Sequence, residues 1–313
     1  MERVLDRNRI IQKIKKRGVR FVSKAMIFIL LCGLSYIVLY PFLFKFLSSF
    51  MSENDMKNIL VDLIPMEWSL ATYEYIIGET AFVSGLTNTT LLALLYASLT
   101  TISTAMIGYG LAKCKYKGAN IVLVLVIISM LIPIYTLRVP IYLHFRFFDF
   151  YGLLEAIGLG PIKLLDTPIP YALMSFTGFS FRSGIFIILM RQYYVGVPDE
   201  LLEAGYVDGA GPYYTFIKII LPMAKSMMIV VFALSFAWAW TDTFYTSILT
   251  PNSELLTAVV RLLNSYRAEL GNVQQNAIIA NTGSLLAIFP LILFYLVLQK
   301  KIIQGIERSG LTG

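Results

Sequence analysis

The chain has 313 residues, 57% of them hydrophobic and only 14% charged, with 26 lysines and arginines against 19 acidic residues for a net charge of +7. Soluble domains carry about 25% charged residues, so this composition, with a mean hydropathy of +0.71, excludes a soluble globular protein and indicates an integral membrane one. Apolar runs of about 20 residues favour helices over a barrel, and basic residues gathered at span ends mark topology rather than nucleic-acid binding.

Residues 1–21 are basic (Arg3, Arg7, Arg9, Lys13, Lys15, Lys16, Arg17, Arg20) with Val4, Ile11 and Ile14 interspersed. A secretory signal also begins basic and turns apolar, but the run that follows is too long and no small-x-small site closes it. The segment reads as an amphipathic cytoplasmic helix on anionic membrane lipid. Six spans are predicted, at 22–44, 86–112, 119–137, 171–192, 225–248 and 277–298. With the N-terminus inside, the inner side holds all the lysines and arginines except Lys45, Lys57, Arg138, Arg146, Lys163, Arg261, Arg267 and the mid-span Arg182. That asymmetry sets a multi-pass topology with both termini cytoplasmic.

Residues 48–80 form an acidic external loop (Glu53, Asp55, Asp62, Glu67, Glu74, Glu79), expected to carry short helices. The second span is rich in Thr, Ser, Ala and Gly, which suits close helix packing. Pro133 is expected to kink the third span, and 138–170 make a long external excursion. Cys32 and Cys114 are not placed for a disulfide, and His144 stands alone, so no metal site is expected. The chain divides into the basic segment 1–21, a first span with its acidic loop (22–80), a five-helix core (81–300) and a tail (301–313).

Between the fourth and fifth spans, 195–222 is a polar stretch punctuated by glycine and proline. Pro198 suits a first helical turn, with Asp199 and Glu200 favourable there. Leu201, Ala204 and Asp208 follow at helical spacing; Gly209 and Gly211 permit a left-handed stop, and Pro212 restarts a helix. Glu203, Ala204, Gly209, Ile219, Leu221 and Pro222 stand at the spacing E-A-A-x-x-x-G-x(9)-I-x-L-P. This resembles the cytoplasmic coupling loop of permease subunits in binding-protein-dependent ABC importers. One position departs: Gly205 stands where the family has alanine, which loosens a helix by about 1 kcal/mol and implies a shorter one.

Further pieces are similar to the carbohydrate-uptake, maltose-type branch: Asn88-Thr89, the run from Tyr109 to Lys113 with Lys117-Gly118, the run Met130 to Pro133, Leu189 to Tyr194, Trp240-Thr-Asp242, and the tail from Gln299 to Gly313. The resemblance implies an all-α polytopic protein with the type I ABC importer permease fold. It implies four kinds of partner: a second homologous permease subunit, two ATPase protomers, an external solute-binding protein and membrane lipid. No G-x-x-x-x-G-K-[ST] loop occurs, so the chain cannot cradle nucleotide phosphate by itself; the resemblance implies a translocating subunit that does no covalent chemistry and binds no cofactor, with ATP and Mg on the ATPase subunits. Glu203, Ala204, Gly205, Asp208, Gly209, Ile219, Leu221 and Pro222 are the implied ATPase-coupling residues.

For the substrate pathway the candidates are Arg182, Asp242, Trp238, Trp240, Tyr245 and Asn281. A charge at the centre of a span costs about 2.5–3.5 kcal/mol, so Arg182 either lines a cavity or snorkels to the outer interface. Aromatic faces with a carboxylate suit sugar binding, although Trp and Tyr also anchor helices at the interface. Asn276, Asn281 and Thr282 serve a pathway or hold helices together. The external stretch 251–275, with Arg261, Arg267 and Glu269, is placed opposite the binding protein by position alone. An ion-coupled secondary transporter would want span carboxylates and an inverted repeat; only Asp242 is acidic within a span. An intramembrane enzyme would want a nucleophile or metal cluster, which the sequence lacks. Within the family, a solute other than sugar is the remaining alternative.

Overall fold

The computed structural model describes residues 2–58, 60–180, 182–255 and 273–310. Arg261, Arg267 and Glu269 lie outside the described residues, as do the side chains of the basic cluster 3–20 and of Asn276. Among the described residues the secondary structure is helical, with two isolated antiparallel bridges, Met51 to Trp68 and Phe148 to Ile162. The chain divides into two compact units, one of Met1–Tyr75 with Tyr266–Leu285 and one of Ile76–Ser265 with Leu286–Gly313.

In the first unit, the basic segment and the first span are one continuous helix, α1 (Glu2–Ser48). From Phe21 onward its apolar side chains stand exposed, as a lipid-facing or partner-facing helix requires. Ser52 caps the short α2 (Glu53–Lys57) by accepting the Asp55 N–H. Phe50 packs on Trp68 and Tyr73, and Ser49 bonds the Tyr73 hydroxyl. Met51, Val61 and Ile278 make this unit's small apolar core.

The chain enters the second unit within α3 (Ala71–Glu79). That unit is built on α4 (Phe82–Lys113). Lipid gives helices no hydrophobic reason to associate, so close packing of small residues has to hold them. The buried face of α4 is accordingly mostly small, with Ala93, Ala97, Thr100, Thr101, Ser103, Thr104, Ala105 and Gly108 beside the larger Phe82, Tyr96 and Leu111. A side chain at Gly108 would begin 2.7 Å from Met190 Cβ, so glycine sets how near the neighbouring helix comes.

The predicted third span ends early: α5 (Ala119–Leu131) stops before Pro133, and a 3-10 turn (Ile134–Leu137) leads into α6 (Arg138–Arg146) at 94° to it. Proline drives the preceding Ile132 into an extended conformation, which it adopts at φ −70°, ψ 122°. The kink expected at Pro133 is thus a sharp corner. The external excursion then carries the short α7 (Leu153–Ala156).

The expected continuous span 171–192 is corrected to two helices, α8 (Ile169–Thr177) and α9 (Ser183–Val195). Gly178 ends α8 at φ +75°, and Arg182 precedes α9 at φ +65°. Beyond them come α10 (Glu200–Val207), α11 (Pro212–Thr215), a π-helical turn (Phe216–Ile220), α12 (Leu221–Met223), α13 (Lys225–Trp240) and α14 (Phe244–Leu249). The long α15 (Val273–Gly310) begins in the first unit and ends in the second. Among the described residues, three helical stretches suffice by length and composition to cross a membrane, Phe21–Ser48, Phe82–Lys113 and Ala277–Gly305, or up to five if each of the two bent pairs is one span.

Candidate functional site

Two places gather the candidate residues. The first is the stretch after α9. Lys113, the last residue of α4, donates to the Val197 carbonyl and pairs with Asp199 at 2.5 Å. The Lys113 hydrogen bond, and then its charge, hold the Asp199 carboxyl below the usual carboxylate range. From this anchor α10 runs eight residues. It ends in a Schellman motif: Ala210 N–H reaches back to the Gly205 carbonyl and Gly209 N–H to that of Tyr206. Gly209 takes the left-handed position the motif needs, at φ +80°.

The two faces of α10 differ. Leu202 and Gly205 point inward, Leu202 joining Tyr194, Val197, Ile220 and Ala224 in one buried cluster. Leu201, Glu203, Ala204, Val207 and Asp208 are exposed, Val207 at 87%. Gly205, where the family pattern has alanine, is a packing contact: an added Cβ would lie 3.2 Å from both Ile219 Cδ1 and Thr215 Oγ1.

Pro222 lacks an N–H and its ring crowds the carbonyl of Lys218, four residues back. The chain accommodates this as the π-helical turn, followed by a 73° bend into α13. Leu221 is half-buried and Pro222 exposed at that corner.

Aromatic contacts moor the loop further. Tyr109 of α4 packs on Phe216 at 4.4 Å between ring centroids and on Tyr194 at 5.6 Å. The Tyr193 hydroxyl donates to the Met223 carbonyl at 2.6 Å. Sequence reasoning read Lys113 and Tyr109 as parts of a family pattern without assigning them a role here. Asp199 lies 86 residues beyond Lys113, so no local pattern pointed to the pair.

The second place lies within α4, α8, α13 and α14. Leu92, Tyr96, Tyr171, Trp238, Ala239, Asp242, Tyr245 and Thr246 surround a residual space of about 20 Å³, room for about one water. Asp242 is fixed by the head of α14, its Oδ2 accepting the Thr246 N–H at 2.9 Å. The Tyr171 hydroxyl bonds that of Thr250 at 3.3 Å. Arg182 is exposed, with its guanidinium carbon 4.2 Å above the Trp238 ring centroid. Behind Tyr96 lies a cluster of buried hydroxyls: Thr100 meets Ser180 at 3.5 Å, Ser180 meets Ser183, and Tyr96 bonds Ser180. On its far side Tyr245 also borders an open groove of about 570 Å³, with His144, Phe145, Phe148 and Met174.

Trp238, Asp242 and Tyr245 therefore line one cavity, and Arg182 lies over the Trp238 ring without lining it. Trp240 is placed elsewhere: buried, it stacks near Phe236 and donates from Nε1 to the Ala287 carbonyl at 3.0 Å. Asn281 is half-buried on α15, in the portion that belongs to the first unit. His144 lies on α6 against Phe145 and Phe148. The hydroxyl cluster was missed because serines and threonines inside a span read as packing residues.

Residues 104–307 match the family described as binding-protein-dependent transport system inner membrane component. The chain is 27% identical over 286 residues to the arabinooligosaccharides transport system permease protein AraQ of Bacillus subtilis, covering 90% of this chain and 92% of that one. To the maltodextrin transport system permease protein MdxG of the same organism it is 26% identical over 298 residues, covering 94% and 98%. In fold it resembles a chain of a bacterial ABC transporter involved in import of the acidic polysaccharide alginate. There the TM-score is 0.71 at 20% identity, over 89% of this chain and 96% of that one.

Proposed function

Since the chain belongs to the family of binding-protein-dependent transport system inner membrane components, we propose that it is the translocating subunit of an ATP-driven sugar importer in a bacterial plasma membrane. Its cargo is a sugar or oligosaccharide. The observation that carries this reading is α10: a short helix with an exposed face of Glu203, Ala204, Val207 and Asp208, whose other face is clamped to α4, α9 and the turn before α13.

Both termini and α10 face the cytoplasm, and six segments cross the bilayer, α8 with α9 counting as one. A second, homologous permease completes the pathway. Each permease docks one of two ATPase protomers, which bind ATP and Mg, and an external solute-binding protein delivers the sugar. Closure of the ATPase pair on ATP pushes α10, and the helices anchored to it swing the cavity from inward to outward access. The ATPase pair binds the outward state more tightly, so nucleotide shifts the population. Glu203 supplies a carboxylate for an arginine or backbone amides of the ATPase. The cavity holds about one water in this conformation, so a saccharide passes only when the helices part.

The test is transport by the assembled complex in proteoliposomes. Wild type should import oligosaccharide only with ATP and binding protein present. Glu203→Lys should fold and insert but lose the ATPase subunits on co-purification, with uptake falling at least about tenfold, as loss of a charged interface pair predicts. Uptake that persists without ATP, or a Glu203→Lys complex that assembles and transports normally, would overturn the reading.

A further inference from the structure

The corner after the third span carries a surface that the import cycle leaves unused. α5 is apolar along its length and buries no residue, which suits a helix set against lipid. The chain leaves it at 94°, so with α5 crossing the bilayer α6 lies flat along the membrane surface. Its residues suit that level. Arg138, Tyr142 and Arg146 recur every four positions and make one stripe. Arg146 donates from Nη1 to the Tyr142 hydroxyl at 3.1 Å, and its guanidinium carbon lies 5.5 Å from the Phe147 ring centroid. Val139, Leu143 and Phe147, exposed and apolar, make the adjoining stripe. Tyr135 and Tyr151 are exposed on either side of the helix in sequence, an aromatic belt of the kind that marks headgroup depth.

Charge and shape together narrow the occupant. Both arginines are exposed, and among the described residues no carboxylate pairs with either. Leu137, Pro140, Ile141 and His144 fall on the side of the helix turned largely away from them. That side borders the open groove of about 570 Å³, which Phe148 and Phe179 also line. A mostly apolar groove suits an acyl chain. Cations at headgroup depth with a hydrocarbon slot on the opposite side match a phospholipid that bears a negative charge.

We infer that α6 is an interfacial helix that binds an anionic phospholipid, the phosphate held by Arg138 and Arg146 and an acyl chain lying in the groove. The inference goes beyond the import reading: it needs α5 to cross the bilayer, whatever the cargo. The full-length chain carrying Phe179→Trp, a conservative change at the exposed edge of the groove, is placed in phosphatidylcholine nanodiscs. These contain either phosphatidylglycerol or phosphatidylcholine brominated on the acyl chains, over a range of mole fractions. Fluorescence is read against the chain without the substitution. Both lipids should quench the added indole, phosphatidylglycerol at a mole fraction about fivefold lower, the preference that one basic residue near a lipid surface confers. Arg138→Gln combined with Arg146→Gln should abolish that preference while brominated phosphatidylcholine still quenches, which shows the helix still seated in the bilayer. Lysine at both positions should keep most of it, since a phosphate needs the charge more than the fork. Quenching by neither lipid, or equal quenching by both with the arginines present, would overturn the inference. Quenching by neither, with loss of an external binding protein in the glutamine variant, would assign this face to a protein instead.

Discussion

At the scale of single residues, Asp166 shows how a side chain fixes a loop. It adopts φ +65°, and its two carboxylate oxygens accept the backbone and side-chain N–H groups of Asn252, each at 3.1 Å. Its own N–H donates to the Leu249 carbonyl, and Lys163 pairs with it at 3.2 Å. Burial works to raise its pKa, but the Asn252 bonds and Lys163 outweigh that and hold the carboxyl below its ordinary value. With the folded value depressed, the clasp stabilises fully above the unfolded value of about 3.9 and fades as pH falls through the folded one. Thermal unfolding of the detergent-solubilised protein should therefore lose less midpoint between about pH 5 and pH 3 in Asp166→Asn than in wild type. A variant with the wild-type acid slope would remove the clasp from the account. Nothing in the sequence singles out Asp166 within the external excursion 138–170, because its partner Asn252 lies 86 residues along the chain. Trp238 and Trp240 show the same limit. Two positions apart on a helix, they point to nearly opposite sides, and nothing local says which side holds the cavity. Gly205 reads in the sequence as a weak point of α10, whereas in space it is where Thr215 and Ile219 touch the helix.

At the scale of elements, legibility followed the strength of the local rule. The runs of α4 and α15 and the stop at Gly209 could be read directly, since apolar length and a glycine after a polar helix need no distant partner. Pro133 and Pro222 announced breaks without giving their size. The interruption between α8 and α9 was hidden, because Gly178, Ser180 and Ser183 are also what a tightly packed span contains. Pro222 is the sharper case to test. Pro222→Ala restores an N–H and relieves the crowding at Lys218, so the 73° bend should open. Spin labels at the exposed Tyr213 and Leu234, in a background without Cys32 and Cys114, should move apart relative to wild type. An unchanged distance distribution would assign the bend to packing rather than to proline.

At the scale of the whole molecule, the sequence carried the membrane class and the family, while the number of crossings is less plain in the described helices, where three candidates are continuous and two are bent pairs. The proposed orientation can be checked on a native residue. Cys114 is exposed just beyond α4, so an impermeant maleimide should leave it unlabelled in intact cells and label it once they are permeabilised. Labelling from outside would invert the topology. The anchor at the end of α4 has its own consequence. Lys113 fastens that helix to the start of α10, while Leu202 shares a buried cluster with Tyr194 of α9 and Met227 of α13, and Tyr193 of α9 bonds the Met223 carbonyl at the end of α12. A machine whose gears mesh without slack delivers each stroke in full; one with play burns fuel before anything moves. Lys113→Met should keep most of the ATP turnover of the assembled complex but lower the sugar carried per ATP, so that the fault appears as idling rather than as stalling.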